Sequence, residues 1–269
     1  YFADWYDSRL SHLDPRDTWH KSSGRIYRMH AKDAKPSKSF NYGKLSTTEL
    51  LNLLGHPNKW HRQTAQRLIA DRRNASIVPD LTREFMNLKG QGALEILWAI
   101  NHSGGFTPKF AEKTLTHANP FVRFWTIRLL GDSHLMTPTL RTQLTALAGS
   151  EPNAEVRSCL AASCKRWAAK DSFPILKQLI RREEDVKDKH IPLLIWWAIE
   201  DKSTTDLTEV TKLLRDPNLW KMPMMQQHLL PRLAQRYGAE PTGPNLAMAG
   251  ALFSLAPSAA DKDRLVTGL

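Results

Sequence analysis

The sequence predicts an all-α protein, an α-solenoid in which helix pairs stack with a repeat of roughly 33 residues. Two observations predict this fold. Residues 44–73, KLSTTELLNLLGHPNKWHRQTAQRLIADRR, carry apolar side chains at helical spacing on both sides of a turn. Related segments then recur along the chain. A single pair of this length cannot bury two apolar faces by itself, so the pairs are expected to pack on one another.

The recurrences involve the second helix of each pair and fall two, three or five repeat lengths apart. The matched segments are RQTAQRLIAD at 62–71 with RFWTIRLLGD at 123–132, LWAI at 97–100 with WWAI at 196–199, and RLI at 67–69 with RLA at 232–234. Together they predict six helix pairs, followed by a seventh, irregular pair from Asn245 to the end.

The turn and cap residues predict where individual helices begin and end. Ser46 and Glu49 form a capping-box pattern, so the first helix should begin there. Gly55 and Pro57 are residues that end one helix and begin the next. Pro231, within the sixth second helix, should kink it. Seven residues are expected to be buried between neighbouring pairs: Leu53, Leu68, Leu97, Leu129, Leu130, Ile195 and Leu233.

Residues 1–34 do not follow the helical pattern. Runs of aromatic and β-branched residues at 1–6 and 24–29 predict two strands. Because a lone two-stranded ribbon is marginally stable in water, its partner strands are expected upstream of Tyr1. We therefore predict three parts. They are the terminal strands of an upstream domain at 1–34, a basic linker at 35–44, and the solenoid at 45–269.

The net charge of +11 raises the question of nucleic-acid binding. The excess is spread along the chain as +4 in residues 1–45, +4 in 46–135 and +3 in 136–269. Phosphate binding usually concentrates cations along one track, so this distribution argues against a nucleic-acid partner.

One set of arginines recurs with the repeats, and stacking would align it as a ridge on one face. These candidate partner-binding residues are Arg62, Arg67, Arg123, Arg128 and Arg157. The alternatives are that they lie on solvated helix faces or pair with carboxylates of the same or the next repeat, with Asp71 and Asp132 as the nearest candidates.

The sequence shows no catalytic, cofactor-binding or metal-binding pattern. His56 and His61 have no third ligand nearby and are interpreted as turn or surface residues. Cys159 and Cys164 fall on different sides of a predicted helix, which indicates two buried thiols. No apolar run reaches the roughly 18 residues that a membrane span needs. A loose polar group near the predicted strands is interpreted as loop capping: Asp4, Asp7, His12, Asp14 and Asp17.

The starts of three second helices resemble the HEAT-repeat family. In that family the inner helix often carries a Val-Arg pair, which is present here as Val122-Arg123 and Val156-Arg157 and as His61-Arg62 in the first pair. The resemblance implies an α-solenoid whose second helices line a concave face. It implies no particular activity.

A second resemblance is sharp over residues 1–72. Residues 3–29 (ADWYDSRLSHLDPRDTWHKSSGRIYRM) and 53–72 (LLGHPNKWHRQTAQRLIADR) resemble a junction in large membrane-bound dehydrogenases of planctomycetes and verrucomicrobia. There a β-propeller related to quinone-dependent sugar dehydrogenases is followed by HEAT-like repeats and often by a cytochrome c domain. The resemblance implies that residues 24–28 close the last propeller blade. It also implies a periplasmic or extracellular parent protein whose quinone, calcium and haem c lie outside this segment.

Two functions stay open at this point. The first is a non-catalytic scaffold that holds the propeller of a dehydrogenase-like parent against a partner protein or a neighbouring domain of the same chain. The second is a basic HEAT-like nucleic-acid binder similar to the alkylpurine DNA glycosylases, with Trp98, Trp125, Trp197 and the arginines on the binding face. Core packing explains the tryptophans more simply, so we expect the scaffold.

Overall fold

The protein is described by a computed structural model that covers residues 2–3, 24–35, 40–240 and 242–268. The chain divides into two compact units, residues 1–41 and residues 42–269. The division falls within the predicted linker. The polar group of Asp4, Asp7, His12, Asp14 and Asp17 lies outside the described residues.

The first unit contains a short antiparallel ribbon at the two places where strands are predicted. Strand β1 (Phe2–Ala3) pairs with β2 (Ile26–Tyr27), with Phe2 opposite Tyr27. The rings of this cross-strand pair stack with centroids 5.3 Å apart, which is the aromatic pairing that stabilises such ribbons.

The second unit is an all-α, solenoid-like stack of helix pairs. Its α-helices are α1 (Thr47–Asn52), α2 (Lys59–Arg72), α3 (Val78–Phe85), α4 (Gly90–His102), α5 (Pro108–Thr114), α6 (Pro120–Asp132), α7 (Pro138–Ser150), α8 (Ala154–Cys164), α9 (Ala169–Ile180), α10 (Ile191–Glu200), α11 (Leu207–Leu214), α12 (Pro217–Trp220), α13 (Leu230–Ala239), α14 (Gly243–Leu255) and α15 (Ala259–Val266).

The pairs form two layers. Each odd-numbered helix up to α9 contacts the even-numbered helix that follows it. The second helices α2, α4, α6, α8, α10 and α13 contact one another in that order. The first helices α5, α7, α9, α11 and α14 do the same on the other side. This arrangement confirms the predicted fold class.

The sixth second helix contains a π-helical turn at Met225–Leu229 that continues directly into α13. The short helix α12 precedes it. Pro231 follows the π-helical turn within this helical run, and the wider turn accommodates a residue that lacks a backbone N–H donor.

Polar side chains cap the first helix α1 and three of the second helices, α2, α6 and α8. The Ser46 and Glu49 capping box is formed, with the Glu49 carboxylate accepting from the Ser46 N–H at 2.7 Å. Asn58, Asn119 and Asn153 cap α2, α6 and α8 through their side-chain oxygens. Each cap satisfies an N–H that would otherwise lack an acceptor.

The core lies between the two layers and is made of two clusters. One extends from Leu50 to Val122 and the other from Ala111 to Leu265, and Phe106 packs against both. Of the seven predicted core residues, four are fully buried: Leu97, Leu130, Ile195 and Leu233. The other three are half-buried: Leu53, Leu68 and Leu129.

The two cysteines are buried thiols on α8, as the sequence predicts. Burial raises the pKa of Cys159 to about 12 and also raises the pKa of Cys164. Because the thiolate is the reactive form, we expect neither thiol of the native protein to react with DTNB at about pH 8. Both should react after unfolding in guanidinium. Rapid reaction of the native protein would contradict this packing.

None of the described helices combines the length and the apolar character that a membrane-spanning helix requires.

Candidate functional site

Three turns of the stack share one sequence pattern and one hydrogen-bond arrangement. They are HPNKWHR at 56–62, HANPFVR at 117–123 and EPNAEVR at 151–157. In each, the first side chain accepts a hydrogen bond from the backbone N–H of the Asn at 3.0 Å. The Asn then caps the helix. The pattern thus fixes the angle at which the second helix leaves the turn.

The arginine that ends each pattern binds the same turn from the other side. Arg62 donates to the carbonyls of His56 and Pro57 at 2.8 and 3.0 Å. Arg123 donates at 2.8 and 3.1 Å to the carbonyl oxygens of the two residues that precede its Asn cap. Arg157 donates to the two corresponding carbonyl oxygens of its own turn at 3.0 and 2.9 Å. These carbonyls precede the helix and have no intrahelical donor, so the guanidinium satisfies them.

Each of these arginines also reaches a carboxylate of the next repeat. Arg62 donates to Glu95 at 2.9 Å. Arg123 makes two bonds to Glu151, at 2.7 and 2.6 Å. The third bridge, between Arg157 and Asp185, is also bidentate.

All three bridges are removed from solvent. The side chains of Arg157 and Asp185 are 5% and 2% exposed. Arg157 has a raised pKa, chiefly because it donates to the Asp185 carboxylate. We call these three ion pairs the junction bridges: Arg62–Glu95, Arg123–Glu151 and Arg157–Asp185.

The five arginines of the predicted ridge therefore fall into two groups. The three arginines of the junction bridges donate their hydrogen bonds to groups within the stack. Arg67 and Arg128 are exposed, and Arg128 pairs with Asp132 across one helical turn at 2.9 Å. A partner-binding ridge made from this set would depend on Arg67 and Arg128, because the other guanidinium groups are already bonded.

Sequence reasoning identified the bridging arginines but missed their acceptors. The nearest candidates were Asp71 and Asp132, and only Asp132 accepts from one of the five, Arg128. The sequence does contain a pattern that could have predicted the hydrogen bonds to the turn. It is the spacing His/Glu-x-Asn-x-x-x-Arg, which occurs at all three turns. This spacing places the arginine side chain next to the carbonyl groups of the turn that precedes its helix.

The second pair breaks this pattern. Helix α4 begins after Lys89, which makes no side-chain cap, and Ala93 occupies the position that arginine takes in α2, α6 and α8. No junction bridge therefore joins the second and third pairs. A groove lies on the second-helix face between α2, α4 and α6, and both residues of the Arg62–Glu95 bridge belong to its lining.

This α2–α4–α6 groove has a volume of about 610 Å³, within the range of roughly 300–1,000 Å³ that is usual for ligand sites. Trp98, Trp125 and Leu129 form its apolar part. The two indole rings meet edge to face with centroids 5.1 Å apart. Both tryptophans are half-buried, so their rings are held by packing while part of each contacts the groove.

The polar part of the groove centres on Glu95, which is 4% exposed. Its carboxylate accepts from Arg62 at 2.9 Å, Gln66 at 3.1 Å and Gln91 at 2.8 Å. Because a buried carboxylate is costly unless it is paired and hydrogen-bonded, these donors account for its presence. They also leave it little capacity to act as a base or a metal ligand.

Two buried polar atoms of the groove have no hydrogen-bond partner among the described residues. They are Gln66 Oε1 and Trp98 Nε1. The Gln66 amide cannot be reversed, since its Nε2 donates to the Glu95 carbonyl at 2.6 Å as well as to the carboxylate. Gln66 therefore keeps a buried acceptor and Trp98 a buried donor without partners.

The charged side chains that line the groove carry a net positive charge. Lys59 is exposed at its rim, and Arg62 and Glu95 neutralise each other. Partial desolvation lowers the pKa of His102. Nothing else lining the groove carries a negative charge.

The tryptophans of the nucleic-acid hypothesis are divided between two places. Trp98 and Trp125 meet in the groove, whereas Trp197 lies on α10 with 44% of its surface exposed. Trp197 is not part of the groove lining. The acid that accompanies the groove tryptophans is Glu95, which the junction bridge already holds.

His56 and His61 lie at the first turn with their ring centroids 4.0 Å apart. Nδ1 of His56 accepts from the Asn58 N–H, and His61 is hydrogen-bonded to the Tyr42 hydroxyl. Within the described part of the chain, no group of three or more His, Cys, Asp or Glu residues could hold a metal ion.

Comparison with known proteins gave no match. No family model matches the chain, and no curated protein or solved structure is significantly similar to it. The function is therefore argued from the residues themselves.

Proposed function

We propose that this chain is a protein-interaction scaffold, a non-catalytic segment of a larger exported dehydrogenase-like protein. The observation that supports the scaffold most is the use of the recurrent arginines. Arg62, Arg123 and Arg157 join successive repeats, so the stack is reinforced internally and presents a long, continuous second-helix face. Stacked repeats of this kind serve as rigid binding surfaces.

The dehydrogenase-like parent is supported by the resemblance of residues 3–29 and 53–72. On this proposal the ribbon of β1 and β2 belongs to the end of a β-propeller. Quinone, calcium and haem c would belong to domains outside this segment, and the protein would be periplasmic or extracellular. Its partner would be another protein or a neighbouring domain of its own chain.

Binding between the stack and its neighbouring domains tests the scaffold directly. Residues 42–269 would be immobilised, and the domains encoded upstream and downstream in the same gene would be passed over them in an interferometry experiment. We expect saturable binding of at least one domain. Absence of binding to every neighbouring domain, with a folded stack, would contradict the proposal.

A nucleic-acid function predicts a different result, because the second helices α2 and α6 carry three exposed cations: Lys59, Arg67 and Arg128. We expect duplex DNA to bind no tighter than the non-specific range, about 10⁻⁴–10⁻⁶ M at physiological salt. Anisotropy titrations at about 50 and 200 mM salt would measure this.

The matched variants are Arg67→Ala with Arg128→Ala, since both side chains are exposed and neither belongs to a junction bridge. Nanomolar, strongly salt-dependent binding that this double variant abolishes would overturn the scaffold and favour the nucleic-acid function.

A further inference from the structure

We propose that the turn before α6 is a proton-sensitive element of the stack: when His117 takes up a proton, this turn loses the acceptor that holds the start of α6. The inference goes beyond the proposed scaffold function and does not depend on it. It starts from the hydrogen bond that the Asn119 N–H donates to Nδ1 of His117, with a length of 3.0 Å. A backbone N–H only donates, so Nδ1 carries no proton and the imidazole is neutral in this arrangement.

The third turn shows that this position requires an acceptor and not specifically a histidine. His56, His117 and Glu151 each accept the N–H of the Asn two residues later at 3.0 Å. A carboxylate accepts hydrogen bonds throughout the range of about pH 5 to 8, whereas a histidine ordinarily takes up a proton near pH 6.5. The turn at His117 therefore depends on a group that titrates close to neutral pH, and the turn at Glu151 does not.

The surroundings of His117 oppose its protonation. The side chain is half-buried, and its ring packs on that of Phe85 from α3 with centroids 5.6 Å apart. Arg123 donates to the His117 carbonyl at 2.8 Å, which places a permanent positive charge at the same turn. Desolvation is the main cause that lowers the pKa of His117, and the charge of Arg123 adds to it. The Asn119 N–H also favours the neutral ring, since a protonated Nδ1 could not accept it.

The hydrogen bond to His117 supports both the cap and the bridge of this turn. Asn119, whose N–H it holds, caps α6 by accepting the Phe121 N–H at 2.9 Å. Arg123 binds the His117 carbonyl and, one repeat further on, the carboxylate of Glu151. A proton on His117 puts two donors face to face at the start of α6. The cap and the Arg123–Glu151 bridge should then be weaker.

The lowered pKa determines the direction of the pH effect. Between the ordinary histidine pKa of about 6.5 and the lower native pKa, the unfolded chain binds a proton at His117 that the native chain does not bind. The stability that depends on neutral His117 is therefore complete above about pH 6.5 and is lost as the pH falls toward the native pKa. A single proton can raise the equilibrium constant for unfolding by at most about tenfold per pH unit.

Two matched variants of the intact 269-residue chain test this effect. His117→Gln replaces the histidine by a side chain that does not titrate and whose amide oxygen can accept the Asn119 N–H. His134→Gln is the control, because Nδ1 of His134 lies 2.8 Å from the Arg166 carbonyl oxygen. This nitrogen has to donate, so a protonated ring keeps the bond. Urea unfolding at about pH 5, 6, 7 and 8 would give the equilibrium constant for each protein.

We expect the unfolding constant of the natural chain to rise at least about threefold more between pH 7 and pH 5 than that of His117→Gln, within the limit set by one proton. His134→Gln should not reduce this rise. The proposal is wrong if His117→Gln has the same pH dependence as the natural chain, or if His134→Gln reduces the rise by as much as His117→Gln does.

Measurements on the natural chain decide the proposal even if His117→Gln does not fold. Imidazole ¹⁵N shifts should show His117 protonated on Nε2 at about pH 8, with a titration midpoint below the ordinary value of about 6.5. On acidification, hydrogen-exchange protection of the Asn119 amide should fall more than that of the Asn153 amide, which Glu151 holds. A proton on Nδ1 at pH 8, a midpoint at or above about 6.5, or an equal loss of protection at both amides would overturn the proposal.

Discussion

Replacing Arg157 by alanine should lower the free energy of unfolding by about 3–5 kcal/mol, the cost of breaking a buried ion pair by removing one partner. The side chain of Asp185 is 2% exposed and loses both of its guanidinium hydrogen bonds in this variant. The carbonyls of Glu151 and Pro152 lose a donor as well. Urea denaturation followed by circular dichroism would measure the loss.

The matched control is Arg128→Ala. Arg128 also pairs with a carboxylate, but its side chain is 46% exposed and that of Asp132 is 43% exposed. Exposed pairs of this kind contribute about 0–1 kcal/mol. Equal losses for the two variants would mean that Arg157 is not buried in a bridge, and the account of the junctions would be wrong.

Truncation of the core should have an effect of similar size. Leu130 on α6 is fully buried, so Leu130→Ala should lower the free energy of unfolding by about 2–5 kcal/mol through lost burial and the cavity left behind. Leu246→Ala is the control, because Leu246 is 55% exposed on α14. The same denaturation experiment measures both variants. A loss below about 0.5 kcal/mol for Leu130→Ala would contradict the burial of this face.

The fold was largely predictable because its determinants are local. Ser46 and Glu49 cap α1 as their spacing indicates, and the apolar spacing of α4 predicted the burial of Leu97. Leu129 was expected in the core but lines the groove. A periodic pattern shows that a residue lies on an apolar face, but it does not show whether the next repeat covers that face.

The junction bridges were less predictable because they join different repeats at irregular separations. Arg62 and Glu95 are 33 residues apart, whereas the bridges of Arg123 and Arg157 span 28 residues each. Glu95 lies within helix α4, while Glu151 and Asp185 lie outside the α-helices, in the segments between them. Only the packing of neighbouring pairs brings these carboxylates to the arginines.

The groove combines side chains from three successive second helices, α2, α4 and α6. Trp98 of α4 and Trp125 of α6 meet in it edge to face. Sequence reasoning treated these tryptophans as core residues or as parts of a nucleic-acid surface. It had no means of detecting that the donors of Arg62, Gln66 and Gln91 would converge on Glu95.

A double-mutant cycle on Arg157 and Asp185 tests most directly whether the recurrent arginines hold the stack together. Four proteins would be unfolded in urea: the natural chain, Arg157→Ala, Asp185→Ala and the double variant. We expect a coupling free energy near the upper end of the roughly 0.5–3 kcal/mol found for contacting residues. The double variant should then be more stable than the sum of the single losses implies. Additive losses, within about 0.5 kcal/mol, would show that Arg157 and Asp185 act independently and would contradict the account.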